Sequence, residues 1–134
     1  VYLQRAQAIV FGLLALPSLL VTLAPTLWLG MFSADAEVIA VGSRYFHLVG
    51  PSYPFLGVAM VTSFALQGMG HSVAALLWVV LRVAAVSAVA LTGIQWLGYD
   101  EDAVFAAVAA GNFASSLVLP WLFRRVSATL VPAA

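Results

Sequence analysis

Residues 6–34, 45–81, 83–99 and 103–123 contain no Asp, Glu, Lys or Arg. A helix crossing a ~30 Å hydrocarbon layer needs ~20 apolar residues, so each run is long enough or nearly so, and 45–81 is too long for one crossing. The turn-forming stretch Gly68-Met69-Gly70-His71-Ser72 divides that longer run. The spacing predicts helices over 8–32, 46–68, 74–97 and 103–123, an all-α polytopic bundle of four transmembrane spans joined by short links. Only 7% of the 134 residues are charged and 64% are hydrophobic, against roughly 25% charged in a soluble domain. So few charges cannot clothe a soluble core of this size, and the first partner of the chain is the lipid bilayer. Arg5 ahead of the first run and Ala34-Asp35-Ala36 after it resemble a secretory signal, but the run is roughly twice a signal's apolar length and reads as a retained span. Without an internal repeat, low-complexity tract or soluble segment, residues 1–134 read as one membrane domain.

The charges orient this bundle. Arg5, Arg124 and Arg125 fall at one end of the spans with no acid, whereas Asp35, Glu37, Asp100, Glu101 and Asp102 fall at the other with Arg44. The arginine excess places both termini in the cytoplasm. Aromatic residues mark the two interfaces, with Trp28, Phe32, Tyr45, Phe46, Trp96 and Tyr99 at the outer level and Tyr2, Trp78, Trp121 and Phe123 at the inner. In the 33–44 link, Ser33 or Asp35 is suited to cap a short interfacial helix that runs into the second span.

Several chemistries lack their residues. Net charge is zero and Lys is absent, so no basic field invites nucleic acid. Cys is absent too, which removes disulfides, thiolate metal sites and cysteine nucleophiles. His47 and His71 lie at opposite ends of one span without acids to complete a metal site, and read as interfacial polar residues. Gly70-His71-Ser72 lacks the strand of a nucleophile elbow, and no phosphate loop is present. Asp100-Glu101-Asp102 suits the positive end of a helix better than a cation. The chain is expected to be no enzyme and to need no cofactor or metal.

What remains is polar material inside the membrane. Arg82 lies well inside the third span with no carboxylate in any span to pair with it. Snorkelling to the cytoplasmic interface, backbone carbonyls freed by a proline, or an acid elsewhere in a longer chain can meet its charge, and it reads either as structural or as serving a gate or substrate charge. Tyr53, Gly57, Met60, Phe64 and Gln67 recur at spacings of three and four on the second helix, a soft, weakly polar stripe suited either to helix packing or to a pocket for amphipathic molecules. Pro51 and Pro54 predict a bend at the outer end of that helix, Gly68 and Gly70 a break at its inner end, and Pro17, Pro25 and Pro120 interruptions elsewhere. Ala109, Asn112, Ser115 and Ser116 form a small polar face suited to close helix contact.

Taken in order, "LWLGMFSADAEVIAVGSRYFHLVGPSYPFLGVAMVTSFALQGMG" and then "VLRVAAVSAVALTGIQWLG" resemble the multidrug and toxic compound extrusion (MATE) family. The likeness rests on the F-S-x-D-x-E-V link, Y-x-x-L-x-x-P leading into a helix, the LQGMG exit and an Arg early in the next helix, here Arg82, and extends over essentially the whole chain. The resemblance implies a twelve-helix exporter of two six-helix lobes, of which this chain corresponds to the last four helices, with its other partners the preceding helices. It further implies a plasma (inner) membrane location and export of cationic or amphipathic organic compounds by alternating access, in exchange for H+ or Na+. One sodium-type pattern of the family places an Asp in the helix matching 46–68, where this chain has none, so no ion-site residue carries over. On this reading Tyr53, Met60, Phe64 and Gln67 line the cavity, Pro51 and Pro54 form the bend, and Arg82 is an electrostatic anchor near the inner gate. Two rivals share the helices: a non-transporting scaffold or assembly subunit, in which the stripe is fully occluded, and a flippase of lipid-linked substrates, in which the cavity is strongly cationic.

Overall fold

The computed structural model describes residues 2–96, 98 and 100–130. Among them every regular element is helical: α1 (Tyr2–Leu23), α2 (Pro25–Leu29), α3 (Ala36–Val49), α4 (Tyr53–Gly68), α5 (Ser72–Trp96) and α6 (Glu101–Leu130), with a 3-10 turn over Gly50–Ser52 between α3 and α4. Four runs are long and apolar enough to cross a membrane: Tyr2–Leu23, Ala36–Gly68, Ser72–Gln95 and Glu101–Thr129.

The helix ends depart from the expected ones for local reasons. The first helix covers Tyr2–Leu23 rather than 8–32, because a residue before proline is driven out of the α region. Ala24 accordingly has φ −134° and ψ 57°, and Pro25 opens α2. Pro17 and Pro120, expected as interruptions, lie within continuous helices. The second span extends upstream of residue 46 to Ala36, capped by Asp35, whose carboxylate accepts the Glu37 N–H at 2.8 Å. At roughly 50 Å, the run Ala36–Gly68 exceeds one bilayer core. The third helix, Ser72–Trp96, lies close to the expected 74–97. The last helix continues past residue 123 to Leu130, with Arg125 stacked 4.6 Å over Trp121.

The exit of α4 shows which glycine its ending requires. Gly70 adopts φ +82°, its N–H donates to Gln67 O at 3.0 Å, and the His71 N–H donates to Leu66 O at 2.9 Å. This is a Schellman closure, which favours glycine at the left-handed position. Gly68 has ordinary helical backbone, and a Cβ there would meet nothing within 4 Å.

Packing is organised around α4, whose largest seams are with α1 and α6, while α5 packs chiefly on α6 and α4. A Cβ on Gly57 would collide with Leu14 and Val10 of α1, so the glycine sets how closely those helices approach. Leu66, Ala59, Ala75 and Leu119 form a small apolar core, yet Ser52, Thr62, Asn112 and Ser115 are buried as deeply. Each joins a hydrogen bond between helices: Gln7 Nε2 to Thr62 Oγ1 (2.8 Å), Asn112 Nδ2 to Ser52 Oγ (2.7 Å) and Trp78 Nε1 to Ser115 Oγ (3.0 Å). Lipid is as apolar as leucine, so such contacts and small residues hold a membrane bundle together. Of the expected Ala109, Asn112, Ser115, Ser116 face, the first three are buried. Trp78, expected at the inner interface, turns its ring N–H to Ser115. Tyr99 and the Trp96 side chain lie outside the described residues. At the acidic end, Arg44 lies 3.3 Å from Glu101 and 3.7 Å from Asp102, tying α3 to α6. Exposed pairs of this kind contribute at most about 1 kcal/mol.

Candidate functional site

The site starts from the backbone break between α3 and α4. Pro54 has no N–H to offer the Gly50 carbonyl one turn earlier; that carbonyl instead accepts the Tyr53 N–H and, at 2.6 Å, the hydroxyl of Ser18 on α1. The Ser52 hydroxyl donates to Val49 O at 2.7 Å and accepts from Asn112. Three helices thus supply the partners that the broken segment needs, which is how irregular backbone survives at membrane depth. A Cβ on Gly50 would strike the Thr22 side chain of α1, so the break also relies on a residue without one.

Below the break the stripe descends α4. Tyr53 is half-buried and Gly57 is buried under α1. Met60 and Phe64 are 51% and 62% exposed, so this face is not occluded by the described neighbours. Gln67 is exposed and places its amide 3.5 Å from Ser63 Oγ.

These residues border a chain of concavities. One of about 510 Å³, between α1 and the upper half of α4, is lined by Tyr53, Gly57 and Met60 together with Pro17, Ser18 and Trp28. A second, of about 220 Å³, lies between α4, α5 and α6 and brings Met60, Ser63 and Phe64 together with Trp78, Arg82 and Ser115. Ser63 and Gln67 line a third of about 350 Å³ at the α4–α5 end. Met60 is common to the first two and Ser63 to the last two. Pro51 and Pro54 lie above the chain; Pro51 is exposed and Pro54 buried.

The chemistry of the walls is apolar, with scattered hydroxyls and one charge. None of the three concavities has a carboxylate on its wall; the guanidinium of Arg82 is the sole charged lining group among the described residues. Arg82 lies about 15 Å along α5 from Ser72 and about 21 Å from Trp96, and its side chain passes across Gly111 of α6, where a Cβ would sit 3.3 Å from Nε. The arginine therefore packs against α6 at mid-helix. Among the described residues it makes no ion pair, and no group of His, Cys, Asp and Glu is arranged to hold a metal ion. His47 and His71 bond backbone carbonyls, those of Ser43 and Met69.

Sequence reasoning missed the partners of the break. Proline announces a freed carbonyl, but which serine reaches it depends on how α1 docks. It also missed a groove of about 400 Å³ between α5 and α6, floored by Ala107, Ala110, Gly111 and Ala114; small residues recurring every three or four positions on α6 were the available signal.

Neither the curated proteins nor the solved structures include a match to this chain. The MatE family model matches residues 1–92, a range that contains α1 to α4, Arg82 and most of α5 and leaves out α6, so the likeness is narrower than the whole-chain extent expected from the motifs. With four helices fit to cross a membrane and this match over more than half its length, the chain belongs to the MatE family of membrane transporters.

Proposed function

We propose that the chain forms part of an ion-coupled secondary antiporter that exports cationic or amphipathic organic compounds by alternating access. The observation that supports this most is the open stripe Tyr53–Met60–Phe64–Gln67, set along connected concavities instead of being sealed by helices. Soft Met and aromatic walls repack around varied organic shapes, which suits a broad substrate range. The break at Gly50–Ser52, with Pro51 and Pro54, is the element that bends as access alternates, and Arg82 is the electrostatic anchor lower down.

The concavities offer no carboxylate to bind Na+ or to exchange H+. On this reading the coupling carboxylates belong to other helices of a twelve-helix transporter, toward which the stripe faces. The end carrying Arg5, Arg124 and Arg125 is cytoplasmic by the positive-inside rule, in the plasma membrane.

This chain has no cysteine, so once any cysteines of the other helices are replaced, single cysteines introduced here report access cleanly. In membranes containing the transporter, Met60→Cys and Phe64→Cys are expected to react with a membrane-impermeant thiol reagent and to be protected by a bulky amphipathic organic compound. Leu77→Cys, exposed on α5 away from the stripe, is expected to stay unreactive. Equal inertness at all three positions would remove the stripe from any water-filled path and return it to packing. Proton-driven or sodium-driven dye flux in vesicles then identifies the ion.

A further inference from the structure

We infer that the surroundings of Arg82 form a binding site for an anionic amphiphile, with a carboxylate or phosphate head at Arg82 and Ser63 and an apolar tail in the α5–α6 groove. The inference does not depend on ion coupling, direction of transport or the role of the stripe.

The head position follows from two unused donors. An intramembrane guanidinium is costly unless an acceptor meets it, and among the described residues Arg82 has none. Ser63 faces the same 220 Å³ concavity; its oxygen accepts from Gln67, and its own O–H donates to no described group. Ser115 is different, since its hydroxyl already donates to Gly111 O at 2.7 Å while accepting from Trp78. The free donors are therefore one cation and one hydroxyl, which complement an oxyanion and repel a cation. A concavity of this size admits a carboxylate or phosphate group, not a whole drug-sized molecule.

The tail position follows from the groove beside it. Arg82 and Trp78 line both the small concavity and the 400 Å³ groove, so the two meet at the arginine. From there the groove follows α5 to Val89, about 10 Å of helix. Its floor is Ala and Gly and its walls are Leu and Val, a surface that offers an alkyl chain contact and no hydrogen bond. A head with one negative charge and a flexible apolar tail satisfies both parts at once; an organic cation satisfies only the apolar part.

Trp78 lies at the junction and makes the test optical. With Trp28, Trp96 and Trp121 replaced by Phe, Trp78 is the remaining indole, and a brominated fatty acid at roughly pH 9, where it is ionised, is the probe. Saturable quenching is expected, with the brominated methyl ester about tenfold weaker because it lacks the charge-assisted hydrogen bonds. Arg82→Gln is expected to erase the difference between acid and ester, and Arg82→Lys to retain part of it. Equal quenching by acid and ester, or a preference that survives Arg82→Gln, overturns the site. Inorganic phosphate that competes as potently as the brominated fatty acid binds would show that the tail adds no affinity and would overturn the groove half of the proposal. Brominated phosphatidylglycerol run beside the fatty acid separates a phospholipid from a single-tailed ligand. Should the Trp-depleted chain fail to fold, the unmodified chain and Arg82→Gln extracted from the same membranes are compared by native mass spectrometry. Retention of acidic lipid or fatty acid on the former and its loss on the latter is the expected result, and equal retention overturns the proposal.

Discussion

The second and third membrane runs differ in a direction opposite to soluble proteins. An 18-residue stretch of Ala36–Gly68 has a mean hydropathy of 1.3 with 39% of its residues buried, whereas the corresponding stretch of Ser72–Gln95, the more apolar at 2.3, has 6%. In water the more apolar helix goes inside; here the helix carrying glycine, proline, serine and threonine does, because lipid competes equally for leucine but not for a backbone gap or a hydroxyl. Shape and hydrogen bonding place α4 at the centre, and lipophilicity leaves α5 at the rim. Breaking that contrast means filling the shape, removing the hydrogen bonds or trimming the lipophilic face, in decreasing order of expected effect.

Filling the shape is expected to cost most. Gly57→Leu drives a side chain into Leu14 and Val10 at the largest seam, and overpacking of this kind costs about 3 kcal/mol. Gly12→Leu, where a Cβ meets nothing within 4 Å, is expected to leave stability within about 0.5 kcal/mol. Detergent unfolding followed by circular dichroism measures both, and equal effects would show that α1 and α4 do not pack through Gly57.

Removing the hydrogen bonds comes next. Ser52→Ala strands the buried Asn112 amide, whose Oδ1 already lacks a described partner, at a cost of about 1–2 kcal/mol. Adding Asn112→Leu is expected to recover most of that loss, because no polar group is then left without a partner. A double variant as unstable as the sum of the singles would mean that Ser52 and Asn112 act separately. Gly70→Ala places a Cβ at φ +82° and is expected to cost about 1 kcal/mol, whereas Gly68→Ala, with helical backbone and open space, is expected to gain about 0.5 kcal/mol. The same unfolding assay reads this pair, and equal signs would mean that the turn closes elsewhere.

How much of this was legible in the sequence follows from the same physics. The four spans were, because a charge is expensive anywhere along a crossing and its absence marks the whole length. The helix ends were not: α6 continues past Arg124 and Arg125 because hydropathy reports where lipid stops, not where a helix stops. Pro17 gave no break while Pro25 did, so proline alone does not mark where a helix ends. Within the site, the spacing of Tyr53, Met60, Phe64 and Gln67 placed them on one side of α4, but the meeting of Met60 and Phe64 with Arg82 required α5 to dock, and Ser18 and Asn112, which serve the broken turn, required α1 and α6. Residue types were readable, and pairings between helices were not.

The smallest expected effect tests the rim itself. Leu77 and Leu81 are both more than 60% exposed on α5; Leu77 borders none of the concavities and Leu81 only the α5–α6 groove. If lipid covers them, truncation removes contacts that the unfolded chain in the same membrane keeps equally, so Leu77→Ala is expected to change stability by less than about 0.5 kcal/mol. A buried leucine would lose about 2–5 kcal/mol on the same change. Measured first on this chain alone in detergent and then in the transporter as the cell makes it, Leu77→Ala distinguishes the two coverings: a small value in both means lipid, while a value that rises only in the cellular protein means that another helix lies on α5. The second outcome would turn α5 from a rim into a seam and reverse its contrast with α4.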